Sequence, residues 1–118
     1  MMSYRVSDYV ADYFSDLGGQ HCFLVTGGGS MFLNDAFGKH KFIDVTCFHH
    51  EQAAAFAGEG YARASNGSKF ALLNVTTGPG ATNAMTGVFS AYVDSIPLLI
   101  ISGQVKQETC VSSYPFPL

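Results

Sequence analysis

Four short apolar runs alternate with helical patterns along this 118-residue chain, and glycine or polar residues follow the end of each run. The runs cover residues 22–25, 42–48, 70–75 and 97–102. The helical patterns cover residues 6–17, 31–37 and 52–65, and a stretch that ends near residue 92. Strands that are hydrophobic almost throughout are typical of a parallel sheet with helices on both faces. We therefore predict an α/β fold of this kind.

The least ordinary residues of the chain lie where the predicted strands end. They are residues 27–29, 49–51, 78–83 and 102–104. In a parallel sheet the carboxyl ends of the strands meet at one edge, where helix N-termini present unpaired backbone N–H groups and ligands bind. We predict a binding site at this edge.

Composition excludes several other classes of protein. Six basic and nine acidic residues give a net charge of −3, which argues against a nucleic-acid partner. The apolar run at residues 96–101 is far shorter than the roughly 20 residues that span a bilayer, and the first 12 residues lack the apolar core of a signal peptide. We therefore expect a cytoplasmic protein with no membrane partner. Three widely spaced cysteines, Cys22, Cys47 and Cys110, predict buried thiols rather than disulfides.

Glu51 is the residue most suggestive of chemistry. It follows an apolar strand and two histidines, and it opens a helix that is alanine-rich and apolar nearly all round. Such a helix is buried on more than one face, so its first carboxylate lies in a partly desolvated crevice where proton transfer is favoured. The alternative is a carboxylate that only complements the helix dipole.

The two glycine-rich segments each allow a structural and a functional interpretation. Residues 27–29 lack the lysine of a phosphate loop, so they form either a tight turn or a place where the backbone approaches a flat ring. We predict that Ser30 caps the helix after this turn, and that Thr82 and Asn83 cap the helix after residues 78–80. Close approach of a ligand or of another chain's backbone is the alternative for this second segment.

A metal site formed by the histidines is not predicted. His49 and His50 are adjacent and cannot both face one ion from an extended segment, and neither His40 nor Glu51 completes a ligand set at suitable spacing. One of the adjacent histidines is instead expected to make a polar contact near the carboxylate.

Several motifs together resemble the N-terminal pyrimidine-binding domain of thiamine-diphosphate enzymes, with acetolactate synthase as the nearest type. They run in order from about residue 6 to residue 105, and the most specific lie at residues 50–55, 59–64, 77–83, 94–97 and 102–105. Residues 102–106 are also similar to acetolactate-synthase-like proteins of surface-sugar pathways. The resemblance implies a carboligase or decarboxylase of 2-oxo acids and leaves the particular substrate open.

The resemblance also implies roles for individual residues. Glu51 matches the glutamate that binds the aminopyrimidine of thiamine diphosphate and promotes the imino form that removes the thiazolium proton. Gly27, Gly28 and Gly29 line the ring-binding and substrate side, where Thr26 replaces the proline of acetolactate synthases. Pro79 and Asn83 match family positions near the cofactor, and Gln104 matches a position that contacts the reactant.

One family motif is missing from the chain. No Gly-Asp-Gly sequence occurs, so the diphosphate and Mg²⁺ would be held by a pyrophosphate-binding domain in a second subunit or in further sequence. We therefore predict that residues 1–118 form a single, partial domain that is truncated. The resemblance also implies a homo-oligomer, and it leaves open whether FAD is bound as a further cofactor. A sheet ending at residue 102 would leave apolar edges that need cover.

Two other hypotheses remain at this point. The chain could be a non-catalytic binding or regulatory module that keeps the fold without a pyrophosphate domain. It could also be an unrelated nucleotide-binding α/β protein that uses residues 27–29, although the nucleotide fingerprint is absent.

Overall fold

A computed structural model describes residues 4–110 as a four-stranded parallel sheet with helices on both faces. In chain order the elements are α1 (Val6–Asp16), β1 (His21–Leu24), α2 (Met31–Lys39), β2 (Asp44–Cys47), α3 (Glu51–Ala64), β3 (Ala71–Val75), α4 (Pro79–Val93) and β4 (Leu98–Ser102). The strands lie in the order β2-β1-β3-β4. The predicted fold class and the alternation of elements are confirmed.

Two apolar layers hold the helices on the sheet. The core between the sheet and the first two helices consists of Ala11, Phe14, Cys22, Leu24, Ala36, Phe37, Ile43 and Leu72. The core on the opposite face, under α3 and α4, consists of Phe23, Ala54, Ala55, Ala71, Leu73, Val75 and Ala84. The small residues of the second core let α3 and α4 approach closely: a Cβ on Gly87 would lie 2.5 Å from the Cβ of Ala55.

The register of the sheet brings the strand ends to one edge. Leu24 pairs with Cys47 on one side and with Asn74 on the other, and Val75 pairs with Ser102. The segments that follow β1, β2, β3 and β4 therefore emerge side by side. This arrangement confirms the predicted shared edge.

The outer strands are less buried than expected. Every residue of β3 is buried, whereas β2 and β4 are exposed or half-buried along their whole length. Both lie at open edges of the sheet among the described residues, since each pairs with one strand only. For the same reason the prediction of buried thiols is wrong for Cys47, which is exposed on β2; Cys22 is fully buried, and Cys110 is half-buried.

The predicted helix caps are confirmed only in part. Ser30 occupies the N-cap position of α2, after a 3₁₀ turn at Gly28–Ser30, but its side chain makes no capping hydrogen bond and lies 3.4 Å from the carbonyl oxygen of Gly27. The helix α4 begins at Pro79 after Gly78, whose φ of +60° suits glycine. Thr82 and Asn83 therefore lie inside the helix rather than at its cap.

The alanine-rich helix α3 packs on two sides, against the sheet and against α4. Its two carboxylates are both buried, Glu51 at 8% and Glu59 at 4% exposure. Glu59 is compensated by an ion pair with Arg63 at 2.6 Å and by a hydrogen bond from Ser90 at 3.1 Å. One stripe that includes Phe56 remains exposed, so burial is less complete than predicted. Within residues 4–110, no helix combines the length and the apolar character needed to cross a bilayer.

Candidate functional site

Glu51 begins α3 at the carboxyl edge of the sheet. His50 precedes it in extended conformation, and the His50 Nδ1 accepts a hydrogen bond from the backbone N–H of Gln52 at 3.1 Å. This cap fixes the start of the helix, so the histidine contact expected near the carboxylate is present. His49 is exposed. The Glu51 side chain, itself buried, thus starts from a capped helix N-terminus.

A second element holds the Glu51 carboxylate from the side. Asn83, in the first turns of α4, donates a hydrogen bond from Nδ2 to Glu51 Oε2 at 3.1 Å. Oε1 accepts no side-chain hydrogen bond from the described part of the chain. Gly80 lies next to Oε1: a Cβ added to Gly80 would be 3.6 Å from Oε1 and 2.9 Å from the Thr76 side chain. The carboxylate is therefore mostly buried, oriented, and left with one oxygen available.

The glycine loop, residues 27–30, contains three glycines in different surroundings. A Cβ on Gly27 would lie 2.4 Å from the Cβ of Thr76, and one on Gly29 would lie 2.9 Å from the Thr77 side chain. A Cβ on Gly28 would meet nothing within 4 Å. The tight-turn interpretation thus explains Gly27 and Gly29 by contacts within the chain, and Gly28 alone faces open space.

Thr76 organises this edge, and the sequence analysis did not single it out. Its Oγ1 accepts a hydrogen bond from the backbone N–H of Gly29 at 3.1 Å, and its side chain also contacts the positions of Gly27 and Gly80. Gly103, which follows β4, packs directly against the loop: a Cβ on Gly103 would lie 2.3 Å from the Gly29 carbonyl oxygen. The β-branched pair at residues 76–77, directly after a buried strand, was the available sequence signal.

The remaining predicted site residues lie on the same edge but do not all touch Glu51. Gln104 turns back toward the chain: its Oε1 accepts hydrogen bonds from Thr77 Oγ1 at 3.3 Å and from the Val105 backbone at 2.9 Å. Pro79 is the exposed first residue of α4, and Thr26 is exposed before the glycine loop. The structure therefore brings Glu51, Asn83 and Gly80 together, with the glycine loop joined to them through Thr76.

The donor set of this edge suits an organic ring rather than a metal ion. Among residues 4–110, no group of three or more histidine, cysteine, aspartate or glutamate side chains is placed to hold a metal. One buried carboxylate with an available oxygen can hold a ring nitrogen that carries a proton. On the same edge of the sheet, Gly28 is exposed, and a Cβ added there would meet no atom of residues 4–110 within 4 Å. These features fit the pyrimidine end of thiamine diphosphate.

Comparison with known families agrees with this fit. Residues 4–114 match the family described as thiamine pyrophosphate enzyme, N-terminal TPP binding domain. The chain belongs to this family.

Relatives that resemble the chain in sequence include acetolactate synthases. The large subunit from Lactococcus lactis is 42% identical over 99 residues, which cover 84% of this chain and 17% of the relative. The large subunit from Buchnera aphidicola of Schizaphis graminum is 46% identical over 86 residues, 73% of this chain and 15% of the relative. The chain thus spans less than a fifth of the length of these relatives.

A solved structure shares the fold. An X-ray structure from Mycobacterium smegmatis, assigned to a thiamin diphosphate-dependent enzyme, superposes with a TM-score of 0.78 at 28% sequence identity. The match covers 98% of this chain and 21% of that one. The chain therefore has the N-terminal TPP-binding fold of acetolactate synthase-like enzymes.

Proposed function

We propose that this chain is the N-terminal part of a thiamine-diphosphate-dependent carboligase or decarboxylase of 2-oxo acids, similar to acetolactate synthase. In this proposal residues 1–118 are a single, partial domain that binds the pyrimidine end of the cofactor. The observation that carries the proposal is the Glu51 carboxylate, which is 8% exposed, opens α3 at the ligand edge, and is oriented by Asn83.

The chemistry of Glu51 follows from its surroundings. Oε1 is the oxygen available to hold a protonated ring nitrogen, while Asn83 keeps Oε2 in place. Because the carboxylate is largely removed from water, a hydrogen bond to it is stronger than at an exposed site. Glu51 therefore holds the aminopyrimidine and moves a proton at Oε1. Thiamine diphosphate, when bound, supplies a carbon nucleophile that forms and breaks bonds beside the carbonyl of a 2-oxo acid.

The substrate side of the proposed site is the glycine loop and the residues beside it. Gly28 faces open space, so its backbone is available to a planar ligand. Thr26 follows β1 and directly precedes this loop, and Gln104 follows Gly103, which packs against Gly29. We assign the cofactor contacts to Glu51, Asn83, Pro79 and the glycine loop, and the reactant contacts to Thr26 and Gln104.

The other half of the site is proposed to come from elsewhere. Holding a diphosphate and Mg²⁺ requires oxygen ligands, and residues 4–110 offer no cluster of them. A pyrophosphate-binding domain, in a second copy of the protein or in further sequence, would supply the metal and the diphosphate contacts. The exposed apolar residues of α4, such as Phe89 and Tyr92, support burial of this surface by a partner.

Turnover by the full-length protein tests the proposed function. The protein is supplied with pyruvate, Mg²⁺ and thiamine diphosphate, and both CO₂ and the coupled product are measured. We expect CO₂ release that depends on the cofactor and is lost in Glu51→Ala. The matched control is Glu108→Ala, which removes an exposed carboxylate far along the chain and is expected to keep full activity.

The products separate the outcomes. Acetolactate indicates a carboligase, and acetaldehyde indicates a decarboxylase. Cofactor binding without turnover of any 2-oxo acid would favour the non-catalytic module, and no binding of thiamine diphosphate would contradict the proposal altogether.

A further inference from the structure

Asn74 is a polar residue in the middle of the sheet. It lies on β3, is 0% exposed, and shares a sheet face with Leu72 of the core beneath α1 and α2. A buried carboxamide is costly unless its donors and acceptors are satisfied. The Asn74 Oδ1 finds no hydrogen-bond partner among residues 4–110. Packing alone therefore does not account for an asparagine at this position.

The other end of the Asn74 side chain joins β3 to α2 and the glycine loop. Its Nδ2 donates to Asn34 Oδ1 at 2.6 Å. Asn34 lies in the first turn of α2, and Ser30 Oγ reaches the same oxygen over 3.4 Å. Ser30 is itself 2% exposed and contacts the Gly27 carbonyl. A chain of polar contacts, buried at Asn74 and Ser30 and half-buried at Asn34, thus runs from the central strand to the start of the loop. The Ser30 hydroxyl has one proton, which it shares between the Asn34 and Gly27 oxygens.

The loop is held independently on its other side. Gly29 donates its backbone N–H to Thr76 Oγ1 at 3.1 Å and packs directly against Gly103. The loop thus has two anchors, the contact of Ser30 with Gly27 and the contacts of Gly29 with Thr76 and Gly103. Gly28 lies between them, and a Cβ added to it would meet no atom of residues 4–110 within 4 Å. The direction in which the Gly28 backbone faces the site therefore depends on both anchors.

We propose that Asn74 and Asn34 are positioning residues that set the conformation of the glycine loop and, through it, the shape of the reactant side of the site. Asn34 contacts the loop through Ser30, and Asn74 acts on the loop through Asn34. The effect on turnover rests on the proposed function, whereas the effect on the loop does not.

Hydrogen–deuterium exchange of the full-length protein, without ligand, tests the proposal. Asn74→Leu keeps the branching and the number of side-chain heavy atoms and removes the hydrogen bond to Asn34. We expect the backbone amides of residues 28–31 to exchange about threefold to tenfold faster, the factor that one hydrogen bond supplies. The matched control is Leu72→Val, which weakens the same core two residues earlier without touching the loop.

A second variant covers the case in which Asn74→Leu does not fold. Asn34→Leu changes a half-buried helical position and removes the same contact from the other side, so it is expected to loosen the loop equally. Because both variants break one link, the double variant is expected to exchange no faster than either single variant. In turnover assays both single variants are expected to raise KM for the 2-oxo acid and leave kcat nearly unchanged.

The outcomes are separable. Unchanged exchange at residues 28–31 in both variants, or an equal increase in Leu72→Val, would overturn the positioning role. If Glu51→Ala has no effect on turnover while the loop still loosens in Asn74→Leu, the proposed function fails and the structural part of this inference stands.

Discussion

Asn83 donates a hydrogen bond to the buried carboxylate of Glu51 at 3.1 Å, across the contact between two helices and over 32 positions of sequence. The bond joins the first turns of α3 and α4, which start at the ends of different strands. A carboxylate oriented in this way loses little freedom when it binds a ligand, so its hydrogen bond is preorganised. Asn83 thereby determines which oxygen of Glu51 remains available.

Replacing Asn83 tests this relationship. In the full-length protein, Asn83→Leu is expected to lower kcat/KM roughly tenfold to a hundredfold, because hydrogen bonds to charged groups contribute about 1.5 to 3 kcal/mol. Steady-state kinetics measure the effect. Thr82→Ala is the control, since its hydroxyl contacts only the carbonyl of Pro79. Equal losses in the two variants would show that Asn83 acts through the helix and not through Glu51.

Substitutions at two neighbouring glycines of the loop are expected to have opposite effects: one lowers stability, and the other changes turnover. Gly27→Ala places a methyl group 2.4 Å from the Thr76 Cβ and is expected to lower the free energy of unfolding by about 1 to 3 kcal/mol. Gly28→Val meets no neighbour, so stability is expected to change by no more than about 0.5 kcal/mol. The valine is expected to raise the concentration of cofactor or 2-oxo acid needed for turnover.

Denaturant unfolding and saturation kinetics check both halves of this prediction. Parental kinetics in Gly28→Val would mean that the loop is only a turn. Parental stability in Gly27→Ala would contradict the close packing against Thr76.

Acid is expected to weaken the surface where α1 meets α2. Hydrogen bonds from the Arg5 side chain, followed by one from its backbone, lower the pKa of Asp8 from 3.8 to about 2. Because the folded pKa is depressed, Asp8 contributes stability above about pH 4, and this contribution is lost as the pH falls toward 2. Thermal unfolding from pH 5 to pH 2 is therefore expected to show a small loss of Tm from this pair, because the ion pair is partly exposed to solvent.

A variant isolates the contribution of Asp8. Asp8→Asn is expected to be less stable than the parent at pH 5 and to show a shallower fall in Tm with acid. Asp16→Asn, at the exposed end of the same helix, is expected to leave the slope unchanged. An unchanged slope in Asp8→Asn would mean that other carboxylates account for the acid sensitivity.

Much of the fold follows from the sequence, because nearly continuous apolar runs separated by helical patterns leave few alternatives to a covered parallel sheet. The shared edge follows too, since all parallel strands end on one side. The exposure of Cys47 does not follow, because whether a strand lies at the edge of the sheet depends on strand order. The composition of a four-residue run does not determine that order.

The site was predicted only in part, for a similar reason. The sequence indicated Glu51 and placed Asn83 near it, but as a helix cap. The actual start of α4 depends on the left-handed backbone of Gly78. The three glycines of the loop look alike in sequence and differ through their contacts with Thr76, Thr77 and Gly103, of which Thr76 lies 47 positions from Gly29. The sequence analysis assigned no role to Asn74, whose partner on α2 lies 40 positions away.

The 118-residue chain alone is expected to bind thiamine diphosphate weakly, with Kd on the order of millimolar. Residues 4–110 offer one charged hydrogen bond and no metal cluster, so the charged end of the cofactor gains little. Exposed side chains on α4, including Phe89 at 66% and Tyr92 at 79%, are expected to promote self-association. Calorimetric titration with Mg²⁺ present, run beside light scattering, measures both. A monomeric chain that binds thiamine diphosphate with micromolar affinity would contradict the prediction that residues 1–118 supply only half of the cofactor site.

Exchange of the thiazolium C2 proton of thiamine diphosphate, followed by NMR in the full-length protein, tests the central role of Glu51 most directly. Glu51→Gln keeps the size of the side chain and removes its capacity to take up a proton. Glu59→Gln is the control, because Glu59 is the other buried carboxylate of α3 and is neutralised by Arg63. We predict exchange slower by about 10² to 10⁴-fold in Glu51→Gln and near the parental rate in Glu59→Gln. A parental rate in Glu51→Gln, with cofactor bound, would contradict the account.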